Sequence, residues 1–232
     1  MTQPSTNGGT PASSGRTPAQ GNRLDPWYDV YADRAHNLRA SEIRALFSVV
    51  SRPEVVSLAG GMPNLKDLPL DKLAASAEKL IRNHGAQAMQ YGSGQGWEVL
   101  RERITEVMGY DGIVGADPDD VVVTTGSQQA LDLVTELFVN PGDVILAEAP
   151  SYVGALGVFR ARQADIVHVP MDEHGIIPEA LEETIRSVRA SGRTIKFIYI
   201  IPNYHNPAGV TLSAERRPII AEICLREHVL IV

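Results

Sequence analysis

From residue 121 onward, short apolar runs alternate with stretches whose apolar residues return every three or four positions, and the alternation continues to residue 232. VVVTT at 121–125 reads as a buried strand, SQQALDLVTELF as a helix, DVILAEA as a strand and YVGALGVFRAR as a short helix. DIVHVPM, PEALEETIRSVRA, TIKFIYII, SAERRPIIAEICLREH and VLIV repeat the alternation, ending on a strand. Strand-sized β-branched runs separated by amphipathic helices predict an α/β fold with a mainly parallel sheet flanked by helices, because each parallel crossover lays a helix on the sheet. Upstream the pattern is helical. Ser41 stands where an N-cap belongs for EIRALFSVV, with Ile43, Leu46, Phe47 and Val50 on one face, and that helix stops before Pro53. LDKLAASAEKLIRN and WEVLRERITEVM predict two more helices, separated by the glycine-rich YGSGQG.

Composition narrows the picture. Residues 1–22 are almost entirely Gly, Pro, Ser, Thr, Asn, Gln and Ala, which bury too little apolar surface to offset the entropy of ordering, so a disordered tail is expected. The tail holds Arg16 and no acidic residue, as transit peptides do, but lacks their amphipathic periodicity. A net charge of -7 argues against a polyanion as the main partner, so no nucleic acid is expected. One cysteine, Cys224, forms neither an intramolecular disulfide nor a thiolate metal site, which favours a reducing, cytoplasmic setting. No apolar run approaches the roughly 18 to 20 residues of a membrane helix, so no membrane partner is expected either.

Four places invite chemistry. In VVVTTGSQQALDLV a strand runs into Gly126, and Ser127 and Gln128 open a helix whose unpaired N–H groups suit an anion; an ordinary strand-turn-helix junction is the plainer reading. Gly92, Gly94 and Gly96 miss the dinucleotide spacing G-x-G-x-x-G, which leaves a flexible turn with Tyr91 at its edge, a hydroxyl able to donate to an anion. Tyr152 follows a strand and a Pro-Ser turn, which places its ring at the carboxyl edge of the sheet, where it serves either as a stacking face or as a core tyrosine. In IYIIPNYHNPAGVTLS, Pro202 and Pro207 restrict the backbone on both sides of Asn206, and Ser213 is expected to cap the next helix. A held amide donates to a phenolate or alkoxide without reorganising, although Asn, Pro and Gly are also ordinary turn residues. His205 has no His, Asp or Cys at metal spacing, so no metal is expected.

Five motifs in order, SEIRALFSVVSRPEVVSLAGGMPN, QYGSGQGWEVLRERI, TTGSQQALDLV, PGDVILAEAPSYVGAL and IPNYHNPAGVTLS, resemble the class I and II aminotransferases, the pyridoxal-phosphate enzymes of fold type I, and within them the 2-aminoadipate branch. The resemblance runs from about Arg34 to Val232. It implies pyridoxal 5'-phosphate as cofactor, amino-acid and 2-oxo-acid substrates, and a homodimer. Ser127 and Gln128 would then hold the cofactor phosphate, Tyr152 would stack on the pyridine ring and Asn206 would donate to its O3' oxygen. Tyr91 would reach the phosphate of the neighbouring subunit, Gly61 would lie near the substrate carboxylate and Arg44 near the substrate side chain. The implied organisation is a tail (1–22), an N-terminal helical arm with part of a small domain (23–62) and the first part of the cofactor-binding large domain (63–232).

The chemistry of that family needs a Schiff-base lysine and an aspartate on the pyridine nitrogen. In the family both come after the strand that VLIV matches, so a truncated chain, inactive alone and prone to aggregate through unpaired strand edges, is the expectation. The chain's lysines are Lys66, Lys72, Lys79 and Lys196, and the resemblance gives that role to none of them. A non-catalytic fragment and the effector-sensing half of a transcriptional regulator share the motifs as rival readings, and a lyase or decarboxylase would share them too.

Overall fold

VILAEA is apolar at four successive positions, and a strand of that composition is stable only with both faces covered. It forms β1 (Val144–Ala149), the centre of a five-stranded sheet ordered β3-β2-β1-β4-β5. The computed structural model describes residues 25–36, 55, 65 and 67–232. The chain divides into two units, residues 1–38 and 39–232. In the first, a 3-10 turn (Tyr28–Val30) and the one-turn α1 (Asp33–His36) are described, with the Tyr28 and Tyr31 rings 6.4 Å apart edge to face.

In the second unit the helices are α2 (Leu70–Ala88), α3 (Glu98–Tyr110), α4 (Ser127–Phe138), α5 (Val153–Ala161), α6 (Pro178–Ala190) and α7 (Arg216–Arg226). The remaining strands are β2 (Asp165–Asp172), β3 (Gly175–Ile176), β4 (Ile195–Tyr199) and β5 (Leu230–Ile231). β1 pairs in parallel with β2 and β4, and β4 with β5. β3 runs antiparallel, folding back on the end of β2.

Alternate residues of β1 feed two cores. Val144 and Leu146 pack with Leu181 and Ile185 of α6 and Ile220 and Ile223 of α7. Ile145 and Ala147 pack on the other face with Leu131 of α4 and Leu156 and Phe159 of α5. The two-residue period of a strand makes this division automatic. Each fully buried Leu, Ile or Phe here contributes about 1.5–3 kcal/mol, so the two cores fix where the strand ends stand.

SQQALDLVTELF and PEALEETIRSVRA coincide with α4 and α6 residue for residue, and the parallel α/β architecture is as expected. Two expectations change, and one element is new. VVVTT is not a strand: no neighbour among the described residues forms a ladder with it, and Val122 is 56% exposed. The segment is held instead by Val123 N–H donating to the Gln95 carbonyl (2.9 Å) and by Gln95 Nε2 donating to the Asp119 carbonyl (2.6 Å). Gly96, at φ +106°, allows this approach, since a Cβ there would lie 2.6 Å from Val123 Cγ2. Ser213 does not cap α7, which starts at Arg216; its carbonyl accepts the Arg216 and Arg217 N–H groups in a turn before the helix. The β2–β3 hairpin has no counterpart in the sequence pattern, because Gly175–Ile176 is too short to show a period. The predicted helix EIRALFSVV, with Arg44, and the tail 1–22 lie outside the described residues, as does Gly61.

Candidate active site

From β1 the chain crosses to β2 on one side and later reaches β4 on the other, so the strand order reverses between β1 and β4, and open α/β sheets place ligands at the carboxyl ends of the strands at such a point. Three segments supply residues there. The first is the start of α4. Gly126 precedes it at φ 75°, ψ 169°, a region that only glycine occupies without strain, and a Cβ at Gly126 would meet nothing within 4 Å. Neither an N-cap side chain nor an acidic residue covers the first turn. The N–H groups of Ser127 and Gln128 find no acceptor among the described residues, so this helix terminus presents positive partial charge to an open space.

The second segment follows β1. Tyr152 precedes α5, half-buried, with its ring laid over Gly154; a Cβ on Gly154 would stand 2.4 Å from Tyr152 Cζ. Gln128 Nε2 donates to the Gly154 carbonyl at 3.2 Å, which brings the α4 terminus and the Tyr152 turn together. In the same turn Ser151 Oγ is buried and finds no hydrogen-bond partner among the described residues. Tyr199, at the end of β4, packs edge to face on Phe159 with ring centroids 5.6 Å apart. Its hydroxyl pKa is pushed up by burial and by the neighbouring Tyr152 and Glu148.

The third segment is the loop after β4. The Leu212 N–H returns to the Pro202 carbonyl (2.9 Å) and the His205 N–H to the Val210 carbonyl (2.8 Å). Arg217 donates to Asn203 Oδ1 at 2.7 Å and to the Leu212 carbonyl at 3.1 Å. Asn206 is exposed in this loop. Tyr91 is 98% exposed, its N–H donates to Gln90 Oε1 at 2.8 Å, and it hydrogen-bonds to none of the other described candidates. Lys196 Nζ lies 3.3 Å from Asp143 at the opposite end of the strands, Lys72 and Lys79 are exposed on α2, and Lys66 lies outside the described residues.

Sequence reasoning misses Glu148. It is 1% exposed at the end of β1, and its Oε2 accepts the Ile201 N–H at 2.8 Å. His205 Nε2 lies 3.1 Å from the same oxygen, though out of line for a hydrogen bond, while His205 Nδ1 accepts the Ala208 N–H at 3.2 Å. Burial raises the Glu148 pKa to about 7, against the Ile201 N–H, which favours the charged form. Burial lowers that of His205. The signal available in the sequence is a lone acid in an otherwise apolar strand.

The chain belongs to the aminotransferase class I and II family, which it matches over residues 53–232. It is 37% identical over 202 residues to aromatic-amino-acid aminotransferase 1 of Thermococcus litoralis, covering 87% of this chain and 48% of that protein. It is 37% identical over 193 residues to 2-aminoadipate transaminase of Thermus thermophilus, covering 82% of this chain and 46% of the relative. Among solved structures, the kynurenine aminotransferase of Pyrococcus horikoshii in complex with PMP superposes with a TM-score of 0.82 at 34% identity, over 90% of this chain and 52% of the other. LysN of Thermus thermophilus, complexed with N-(5'-phosphopyridoxyl)-L-leucine, superposes with a TM-score of 0.75 at 32% identity, over 88% and 49%. The chain spans about half the length of the curated relatives it matches.

The residues present fit a phosphorylated pyridine cofactor. The open, glycine-edged terminus of α4 matches a dianion, and the Tyr152 ring beside it matches a flat aromatic. The buried, unpartnered Ser151 hydroxyl adds a polar group next to that ring. Among the described residues no cluster suits a metal ion, and no helix is long and apolar enough to cross a membrane.

Proposed function

We propose that the whole protein is a cytoplasmic, homodimeric pyridoxal-phosphate-dependent aminotransferase that moves an amino group between an α-amino acid and a 2-oxo acid. The observation that carries this reading is the Gln128–Gly154 bond, which sets an uncapped helix terminus beside a tyrosine ring at the switch point of the sheet. Bound there, the cofactor supplies an electron sink for bonds to the substrate α-carbon. The chain's own residues bind and orient. The Ser127 and Gln128 N–H groups and side chains hold the phosphate, helped by the macrodipole of α4, whose contribution of about 0.3–2 kcal/mol those side chains must supplement. Tyr152 covers one face of the ring and keeps water from it, and the Asn206 amide donates to the ring oxygen.

In this reading Tyr91 serves the partner subunit's phosphate, while Gly61 and Arg44 face the substrate. Residues 23–62 form an arm with part of a small domain, and 63–232 belong to the large domain. Lys72, Lys79 and Lys196 are assigned no covalent role, so the 232-residue chain assayed alone is expected to bind the cofactor without transferring amino groups. The test is titration with pyridoxal phosphate followed by visible absorbance and intrinsic fluorescence. Saturable binding that inorganic phosphate competes away, weakened about tenfold in the Ser127→Ala, Gln128→Ala double variant, is expected. Binding unaffected by that variant sinks the assignment.

A further inference from the structure

Glu148 is the one buried acid among the described residues, and the proposed function leaves it unused. Packing does not explain an acid at this position, because β1 is the most enclosed strand and an aliphatic side chain would fill the space without the cost of burying a carboxyl group. Its contacts explain it better. One carboxyl oxygen receives the Ile201 N–H and touches His205, residues that bracket the stretch leading into Asn206. Along its own strand, Glu148 stands four positions before Tyr152. A single side chain therefore links the strand end that carries the ring to the loop that carries the amide. No arginine or lysine pairs with it among the described residues. The titratable groups around it are His205 on the loop, Tyr199 on β4, and His168 on β2, whose Nδ1 lies 3.2 Å from the Glu148 carbonyl.

We propose that Glu148 is a positioning residue that braces the 201–209 loop against the end of β1 and so sets the spacing between the Tyr152 ring and the Asn206 amide. The significance of that spacing rests on the cofactor reading above; the brace itself does not. Removing the acceptor takes the hydrogen-bond partner from the half-buried Ile201 N–H and the carboxyl group that His205 abuts, so the loop loses its anchor while both hydrophobic cores keep theirs.

The test is hydrogen–deuterium exchange of the whole chain without cofactor, comparing segment 200–212 with α6 as internal reference. Glu148→Ala is expected to raise exchange in 200–212 by about tenfold and leave α6 unchanged. Glu148→Gln, whose amide oxygen still accepts the Ile201 N–H, is expected to restore most of the protection. Unchanged exchange in Glu148→Ala overturns the proposal. If that variant unfolds throughout, Glu148→Met decides, since it fills a similar volume without an acceptor oxygen: faster exchange confined to 200–212 supports the brace, and unchanged exchange overturns it. Pyridoxal phosphate titration then separates the two claims. A loosened loop with weakened binding upholds both, whereas a loosened loop with unaltered binding upholds the brace and overturns the role of Asn206 at the cofactor.

Discussion

The start of α4 and the loop after β4 stand at the same edge of the sheet and are built in opposite ways. At α4 the backbone donors are left open, with a glycine in place of a cap and nothing within 4 Å of where its Cβ would be. In the 200–212 loop turn after turn is tied, by Leu212 to Pro202, by His205 to Val210, by Arg217 to Asn203 and by Glu148 to Ile201. The difference separates a helix end whose donors stay unpaired from a loop whose backbone is tied to itself and to the sheet. Unsatisfied donors are tolerated where water or an anion reaches them, and a single amide can be aimed only from a constrained backbone.

The largest expected effect removes the support common to both. Phe159 is fully buried and packs edge to face on Phe197 and Tyr199, so Phe159→Ala should cost about 3–5 kcal/mol in urea denaturation and weaken both regions together. Loss confined to one of them would show that Phe159 does not support both.

Next comes pH, which titrates the carboxyl group beneath the tied loop. Glu148 has its folded pKa raised to about 7 from an ordinary 4.5, so it favours folding below the unfolded value, and that contribution is lost as pH rises from about 4.5 through 7. The loss amounts to about 3 kcal/mol at most, reduced to the extent that the loop opens to water. His205, lowered by burial, acts in the opposite sense, losing stability as pH falls from 6.5 through its folded value. Because His205 is common to both proteins, stability of the wild type minus that of Glu148→Gln, measured from about pH 4 to 8, is expected to decline with rising pH. A flat difference rejects the raised carboxyl.

Gly126→Ala tests the open side. Its φ of 75° and ψ of 169° lie where only glycine is unstrained, so a cost of about 1–3 kcal/mol is expected by thermal denaturation, with 200–212 exchange unmoved. The smallest effect on stability belongs to Gly154→Ala. The new methyl meets the far end of the Tyr152 side chain, which can swing away, so less than about 1 kcal/mol is expected, with a clear change in near-ultraviolet circular dichroism and weaker pyridoxal phosphate binding. A wild-type spectrum and affinity would show that the ring is not held as described.

How much of this is legible in the sequence follows the range of the interactions. α4 and α6 coincide with the predicted segments because their apolar spacing and their starts, after Gly126 and at Pro178, are local signals. Tyr152 can be placed at the edge of the sheet because it follows the apolar run of β1, whereas Gln128 reaches that edge through its bond to Gly154, which has no local signal. VVVTT misleads because β-branched composition predicts an extended backbone but not a partner to pair with it. Glu148 and His205 escape because the carboxyl group meets Ile201 across 53 positions of sequence, a separation at which no period or spacing carries information.

That separation also has a kinetic consequence. The β2–β3 hairpin joins neighbours, whereas β1 finds β4 only after the intervening crossover has been placed, and distant pairings form slowly because loop closure precedes any gain. The pairing of β1 with β4 is therefore expected to form late, after most helical signal has developed. In a refolding experiment, recovery of pyridoxal phosphate binding should lag the far-ultraviolet circular dichroism signal, making ligand capture a reporter of the last step of assembly.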